Sequence, residues 1–168
     1  MHPTRNRALV VAVLLAAAFA APARALDQGD PAPDFSVPGL AGGTISLAAY
    51  RGKVVYLDFW ASWCGPCAKS LPAIDRLRRE FAPGDFQVVA VNLDRNPATA
   101  AKFLKQRPVG YPSATDPKGS VPAAFGVSAM PTSFLIDRSG VVRHVHRGFR
   151  DGDVEPLREQ IQKLVSAR

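Results

Sequence analysis

The feature that most constrains the fold is a pair of cysteines placed between a strand pattern and a helix pattern. Cys64 and Cys67 are the two cysteines of the chain, and they lie in the motif WCGPC at residues 63–67. The nearly continuous apolar run 54–60 precedes the motif and predicts a strand buried on both faces. Helical spacing follows over residues 66–81. A Cys-x-x-Cys pair at such a junction is typical of a redox-active dithiol.

The alternative is a structural disulfide. Such bridges stabilise a protein mainly by closing long loops in the unfolded chain. A bridge between Cys64 and Cys67 spans two residues and constrains the unfolded chain little. A structural role therefore explains this spacing poorly.

Residues 1–25 predict an export signal. Arg5 and Arg7 are positive, residues 8–21 are apolar, and residues 23–25 form an A-x-A cleavage site. The alternative is an uncleaved membrane anchor, but the apolar run is shorter than the roughly 20 residues of a spanning helix and is rich in alanine. We therefore expect a cleaved signal peptide at 1–25, one domain at 26–168 and a periplasmic location.

The charge argues against a nucleic-acid partner. The whole chain carries a formal net charge of +7, and loss of Arg5, Arg7 and Arg24 with the signal lowers it to +4. The remaining positive charges are scattered rather than clustered in the sequence. We expect a monomer that binds no nucleic acid.

The order of apolar and turn patterns predicts a central mixed sheet flanked by helices. Residues 30–35 are proline-rich and predict an extended cover, and Pro72 predicts a kink in the first helix. Asn96 is predicted to cap the second helix. The predicted elements are a strand at 44–47, a strand at 54–60, a helix at 66–81, a strand at 86–92, a helix at 97–105, a loop-rich segment at 107–120, a helical turn at 121–125, a hairpin of strands 133–136 and 141–146 around the turn 137–140, and a helix at 154–165.

Two segments together resemble the thioredoxin superfamily. They are VYLDFWASWCGPC at residues 55–67 and MPT at residues 130–132. Within the superfamily the chain is similar to the exported TlpA/ResA-like thiol–disulfide oxidoreductases, which share the PAPDF lead at 31–35 and the RGK approach at 51–53. The resemblance covers about residue 30 to the C-terminus. It implies an α/β thioredoxin-like fold with a mid-chain αβ insertion, which we assign to residues 95–120.

The resemblance and the local physics agree on the catalytic cysteines. Cys64 would lie at a helix N-terminus, where free N–H groups and the helix dipole lower the pKa of a thiol. We expect Cys64 to attack a substrate disulfide and Cys67, one turn deeper, to resolve the mixed disulfide. Gly65 would let a partner backbone approach closely, and Pro66 fits the first turn of the helix.

Asp58 is a carboxylate in the middle of an apolar strand, which is costly unless the group is neutral or paired. It matches the buried aspartate of thioredoxins, which implies a proton acceptor for Cys67. The alternative is an aspartate that reaches water or a backbone amide. Two positions depart from the relatives. Ala90 stands where thioredoxins carry a lysine near this aspartate, and Ser70 stands where many TlpA/ResA-like proteins carry a glutamate.

The resemblance also predicts a substrate-binding surface. Pro131 matches the cis-proline of the superfamily and would present the backbone of Met130 to an extended substrate. Trp63 and the loop near Gly148 would complete an apolar docking surface. Trp60 is predicted to be a core residue.

His144 and His146 alternate along one predicted strand, a spacing that can hold a metal. We interpret them as two histidines on an edge strand, because a cis-proline beside the dithiol would block a metal there. We expect no metal and no cofactor beyond the redox-active disulfide of Cys64 and Cys67.

The sequence thus predicts an exported enzyme that reduces protein disulfides and receives electrons from a membrane thiol-relay protein. Candidate substrates are the haem-binding cysteines of apocytochrome c, the copper-site cysteines of an oxidase, or secreted disulfides in general. The alternatives are a disulfide-forming oxidant, a thiol-dependent peroxidase and a redox-responsive binding module without enzymatic activity. A peroxidase would need its own Thr/Pro-x-x-x-Cys setting, which the residues before Cys64 do not offer.

Overall fold

The computed structural model of the chain describes residues 25–167. The predicted signal peptide lies outside these residues, except for its last position. Within the described range, no helix combines the length and apolar character needed to span a membrane.

The structure is built on a five-stranded mixed sheet with a two-stranded sheet beside it. The strand order in the large sheet is β5-β4-β3-β6-β7, and β1 pairs with β2. This confirms the predicted central mixed sheet flanked by helices. The elements are β1 Ser36–Pro38, β2 Thr44–Ser46, β3 Val54–Trp60, α1 Gly65–Arg78, β4 Phe86–Asn92, α2 Pro97–Gln106, β5 Ser113–Thr115, α3 Ser120–Ala124, β6 Thr132–Ile136, β7 Val142–Arg147 and α4 Val154–Ser166.

Strand β3 is the centre of the sheet, and all seven of its residues are buried. It pairs in parallel with β4 and antiparallel with β6. Because side chains alternate along a strand, β3 contributes to two cores. Val54, Tyr56 and Trp60 pack in the cluster that contains both cysteines, whereas Leu57 and Phe59 pack on the opposite face.

Helix α1 begins immediately after Cys64, its N-cap residue. It continues through Pro72 and ends at Arg78, three residues before the predicted end. The N–H of Phe81 donates to the carbonyl of Arg78 at 3.3 Å, so the chain leaves the helix in a turn at this point. One side of α1 packs on the sheet, which fixes the position of the cysteines above β3.

The mid-chain insertion consists of α2 and β5. The side chain of Asn96 accepts a hydrogen bond from the N–H of Ala98 at 3.0 Å, which confirms the predicted N-cap. The prediction of a loop-rich segment at 107–120 is partly wrong, because Ser113–Thr115 forms the edge strand β5 beside β4. Ser113 also accepts a hydrogen bond from the indole of the fully buried Trp60 at 3.1 Å. The strand was missed because three residues are too short to show a period.

The proline-rich lead covers one end of the sheet, as predicted. Pro31 forms an isolated bridge with Val141, and the N–H of Ala32 donates to the carbonyl of Gly140 at 2.9 Å. The short strand β1 directly after the lead was not predicted. It ends in Pro38 and pairs only with β2.

Candidate active site

The two cysteines form a disulfide at the N-terminus of α1. The Sγ of Cys64 accepts a hydrogen bond from the N–H of Cys67 at 3.2 Å, so the sulfur itself caps the helix. Cys64 keeps 6% of its surface exposed, whereas Cys67 is fully buried. Of the two cysteines, only Cys64 therefore presents any surface to a partner.

A second loop lies beside the dithiol. The peptide bond between Met130 and Pro131 is cis, as predicted. Met130 is half-buried and packs against the cluster that contains both cysteines. The carbonyl of Pro131 accepts a hydrogen bond from the N–H of Gly148 at 2.8 Å, which ties the loop after β7 to the loop before β6. The structure thus brings Met130, Pro131 and Gly148 together.

The surface around the motif is open. Trp63 is 70% exposed and is the only large apolar side chain so exposed among residues 25–167. Gly65 and Pro66 are also exposed, and a Cβ atom at Gly65 would meet no atom of the protein within 4 Å. A partner backbone can therefore pass close to this position.

Asp58 is buried beneath the motif with 1% of its surface exposed. It lies on the same face of β3 as Tyr56 and Trp60, which pack with the cysteines. Neither carboxylate oxygen has a hydrogen-bond partner, so the alternative of a carboxylate that reaches a backbone amide is wrong. Burial raises the pKa of Asp58 to about 8. At neutral pH this carboxyl group is mostly protonated and is close to its point of titration.

Two tyrosine hydroxyls lie in the same buried region as Asp58, and the sequence predicts a role for neither. The hydroxyl of Tyr56 accepts a hydrogen bond from Ser133 at 2.7 Å, and the hydroxyl of Tyr111 donates to the carbonyl of Leu71 at 3.2 Å. Burial raises the pKa of each tyrosine, and the nearby charge of Asp58 adds to this rise. Tyr56 could have been found from its spacing, because it lies two residues before Asp58 on the same strand face.

Within residues 25–167, Asp58 has no charged partner on either neighbouring strand. Ala90 is the direct partner of Asp58 on β4, and Ser133 is its partner on β6. Ser70 is buried, and its hydroxyl donates to the carbonyl of Cys67 at 3.2 Å. Neither Ala90 nor Ser70 supplies a charge, so desolvation alone accounts for the raised pKa of Asp58.

A separate polar cluster fixes the loop before the motif, and the sequence does not predict it. The buried carboxylate of Asp94 accepts hydrogen bonds from the N–H of Ser62 at 3.1 Å and from its hydroxyl at 3.0 Å. Asn92 donates to the same carboxylate at 2.9 Å. The end of β4 therefore holds the residue two positions before Cys64, which orients the motif.

The two histidines of β7 stack with their ring centroids 6.2 Å apart. His146 forms an ion pair with Asp153 at 3.1 Å. Burial and the neighbouring His146 lower the pKa of His144. Within residues 25–167, no three histidine, cysteine or acidic side chains are grouped as a metal site would require.

A mixed sheet with a Cys-x-x-Cys disulfide at a helix N-terminus and a proline loop beside it defines a thioredoxin-like thiol–disulfide oxidoreductase. The Redoxin family model matches residues 27–161, and the chain belongs to this family. It is an oxidoreductase of the ResA type. Proteins of this class use a redox-active disulfide rather than a bound cofactor.

Relatives and solved structures agree with this assignment. The thiol-disulfide oxidoreductase ResA of Bacillus thuringiensis is 34% identical over 140 residues, covering 83% of this chain and 80% of the relative. The thioredoxin-like protein YneN of Bacillus subtilis is 36% identical over 126 residues, covering 73% of each chain. A crystal structure of a Chlorobium tepidum protein named as a thiol:disulfide interchange protein DsbE superimposes with a TM-score of 0.81 at 51% identity, covering 84% of this chain and 100% of that one.

Proposed function

We propose that this protein is an exported reductant of protein disulfides that acts through Cys64 and Cys67. Its mature form would be the single domain 26–168, released into the periplasm by removal of residues 1–25. The observation that carries the proposal is the unequal access of the two sulfurs above a buried carboxyl group. Cys64 keeps a small exposed fraction at the surface, whereas Cys67 is fully buried and bonded to Cys64.

The reaction starts from the reduced dithiol. The thiolate of Cys64 attacks one sulfur of the substrate disulfide, and the other substrate sulfur leaves as a thiolate and takes a proton. The ionised form of Asp58 then accepts the proton of Cys67, and a pKa near the working pH keeps this form available for general-base catalysis. The thiolate of Cys67 attacks the Sγ of Cys64 and releases the second substrate sulfur. The substrate gains two electrons, and the protein becomes the Cys64–Cys67 disulfide.

The loops around the dithiol would hold the substrate. An extended substrate segment would pair with the backbone of Met130 beside Pro131. Trp63 would contact apolar side chains of the substrate. The open surface at Gly65 and Pro66 would leave room for the substrate backbone. Gly148 would complete the substrate-binding surface, because its N–H donates to the carbonyl of Pro131 and holds it in place.

The absence of a positive charge opposite Asp58 among residues 25–167 favours a reductant over an oxidant. A strong oxidant stabilises its reduced form through a stable thiolate. Here the group in the buried layer is the carboxyl group of Asp58, and no cation among the described residues lies opposite it in the sheet. Burial without a compensating cation disfavours a thiolate at Cys67, and ionisation of Asp58 would disfavour it further, so this environment works against a long-lived thiolate.

A reductant in an oxidising compartment needs a source of electrons. We therefore propose a membrane thiol-relay protein as the donor. The proposed clients are polypeptides with disulfides or cysteines, with the haem-binding cysteines of apocytochrome c, the copper-site cysteines of an oxidase and general secreted disulfides as candidates. Monomeric action is part of the same proposal.

Insulin reduction tests the dithiol mechanism. The reduced wild-type protein should reduce insulin disulfides with dithiothreitol as the electron source, and the Cys67→Ser variant should lose at least about a hundredfold in turnover, because it cannot complete the second exchange. Hydrogen peroxide offered instead of insulin should be consumed no faster than by the buffer. Equal insulin turnover in both proteins would remove the dithiol mechanism, and rapid peroxide turnover would favour the peroxidase.

A further inference from the structure

We propose that a basic groove beside the dithiol binds an acidic segment of the disulfide-bearing substrate. The groove lies between α1 and the loop that joins β7 to α4, residues 148–153. The inference rests on the proposed function, because the segment belongs to the polypeptide whose disulfide is reduced. It adds a chemical preference to a site that otherwise accepts any accessible disulfide.

The groove has two connected halves. The half next to the dithiol has a volume of about 410 Å³ and is lined by Pro66, His146, Arg147 and Phe149 among others. The second half, of about 370 Å³, is lined by Lys69, Ala73, Arg76 and again Phe149. Phe149 lines both halves, so the two halves adjoin each other.

One face of α1 forms the wall of the groove. Residues 66, 69, 73 and 76 are spaced by three or four positions, so they form one stripe along the helix. With a rise of about 1.5 Å per residue, the stripe is about 15 Å long. This length accommodates four to five residues of an extended peptide, at about 3.3 Å each.

The groove begins at the reacting atoms. Pro66 lies between the two cysteines and also lines the groove. Gly148, at the other wall, donates its N–H to the carbonyl of Pro131. A substrate whose cysteine contacts Cys64 can therefore continue directly into the groove.

The side chains of the groove carry an excess of positive charge. Lys69, Arg76, Arg147 and Arg150 are exposed, and none of them forms an ion pair with another residue in the range 25–167. Asp153 is the acid nearest the dithiol half, and it already accepts hydrogen bonds from the N–H of Arg150 at 2.6 Å and pairs with His146. Asp151 is the other acid of the groove.

The opposite side of the dithiol lacks this excess. The groove beside Trp63 is lined by Arg95 and by the buried Asp94, whose charges oppose each other. The charged side chains around the dithiol therefore have a positive excess only on the side of the basic groove. Carboxylates of a substrate would be attracted to that side, with loss of the attraction at high salt.

Peptide disulfides test the preference. Each probe peptide carries one cysteine linked to a chromogenic thiol and three flanking residues of glutamate, glutamine or lysine, placed either before or after the cysteine. The reduced wild-type protein should react about tenfold faster with glutamate than with glutamine on one flank, and slower with lysine. On the other flank, the peptides with glutamate, glutamine and lysine should react at the same rate. The preference should disappear at about 1 M salt, where the screening length falls to ~3 Å.

Charge reversal assigns the preference to the groove. The double variant Arg147→Glu and Arg150→Glu should invert the ratio of glutamate to lysine rates. The milder variant Arg147→Gln and Arg150→Gln should bring the ratio close to one, which keeps the test valid if the reversed protein folds poorly. The control variant, Lys102→Glu with Lys105→Glu, makes the same change of charge at two exposed cations of α2 that line neither groove, and it should keep the wild-type ratio.

The outcomes separate this inference from the function itself. If the wild-type protein reacts with none of the peptides, the proposed function fails. If it reacts equally with all of them, or if the control variant changes the ratio as much as the groove variants do, the groove is not the substrate contact and the inference is overturned. The same holds if the peptides are not distinguished while the groove variants lose binding to vesicles of anionic phospholipid, because the surface would then contact a membrane.

Discussion

The Asp58→Asn variant should resolve a mixed disulfide about a hundredfold more slowly than the wild-type protein at pH 7. Asparagine keeps the shape of the side chain but cannot accept the proton of Cys67, and general-base catalysis is worth about 10²–10⁴-fold. The reduced protein is first loaded at Cys64 with thionitrobenzoate, and the release of the coloured thiol then reports the attack of Cys67. In the wild-type protein the rate should rise with pH as Asp58 ionises. Equal rates in both proteins across the pH range would contradict the assigned role.

The same substitution should also change how stability depends on pH. Burial raises the pKa of Asp58 from 3.8 to about 8 in the folded protein. The folded state therefore binds the proton more tightly than the unfolded state, so the contribution of this proton to stability is complete below pH ~4 and is lost as the pH rises through about 8.

Urea unfolding of the oxidised proteins between pH 4 and pH 9 measures this change. The free energy of unfolding of Asp58→Asn relative to wild type should increase by about 5 kcal/mol over this range, at ~1.36 kcal/mol per pKa unit. The exposed Asp151 gives the matched control, because Asp151→Asn should keep a profile parallel to wild type. A parallel profile for Asp58→Asn as well would show that the carboxyl group is not held neutral by burial.

The Cys67→Ser variant should accumulate mixed disulfides with its clients through Cys64. In the wild-type protein, Cys67 lies at bonding distance from Cys64, and such intramolecular reactions reach effective concentrations of about 10⁵–10⁸ M. Removing this sulfur leaves only external thiols to resolve the adduct, so its lifetime should increase by orders of magnitude. The measurement is non-reducing electrophoresis of extracts from the native host, with identification of the trapped proteins by mass spectrometry.

Cys64→Ser provides the matched control for trapping. It keeps one cysteine, but Cys67 is fully buried and should form no adduct. Adducts of equal yield in both variants would contradict the assignment of Cys64 as the attacking sulfur. An absence of adducts with Cys67→Ser in the native host would count against the reduction of protein disulfides.

The parts of the fold that the sequence predicts well are those with a strong local signal. The apolar runs of β3 and β4 are long enough to identify buried strands, and Asn96 followed by a proline predicts the start of α2 correctly. The edge strands β1 and β5 are three residues each and depend on partners elsewhere in the chain. No local period identifies them.

The features of the candidate site also divide into those with a local sequence signal and those without one. The cysteines and Pro131 are recognisable from short motifs, because the chemistry and the turn are local. The contacts that shape their surroundings are not local. Ser133 and Tyr56 are separated by 77 positions and Asp94 and Ser62 by 32, so only the folded sheet brings each pair together. The basic groove likewise combines α1 with a loop that follows β7, and scattered cations in the sequence become one surface there.

The reduction potential of the Cys64–Cys67 couple tests the central claim most directly. The protein is equilibrated with dithiothreitol and glutathione redox buffers at pH 7, and the fraction of reduced cysteines is measured after acid quenching and alkylation. A reductant of protein disulfides should have a potential near that of thioredoxin, about −270 mV. A value near −120 mV, which is typical of a strong disulfide-forming oxidant, would contradict the account.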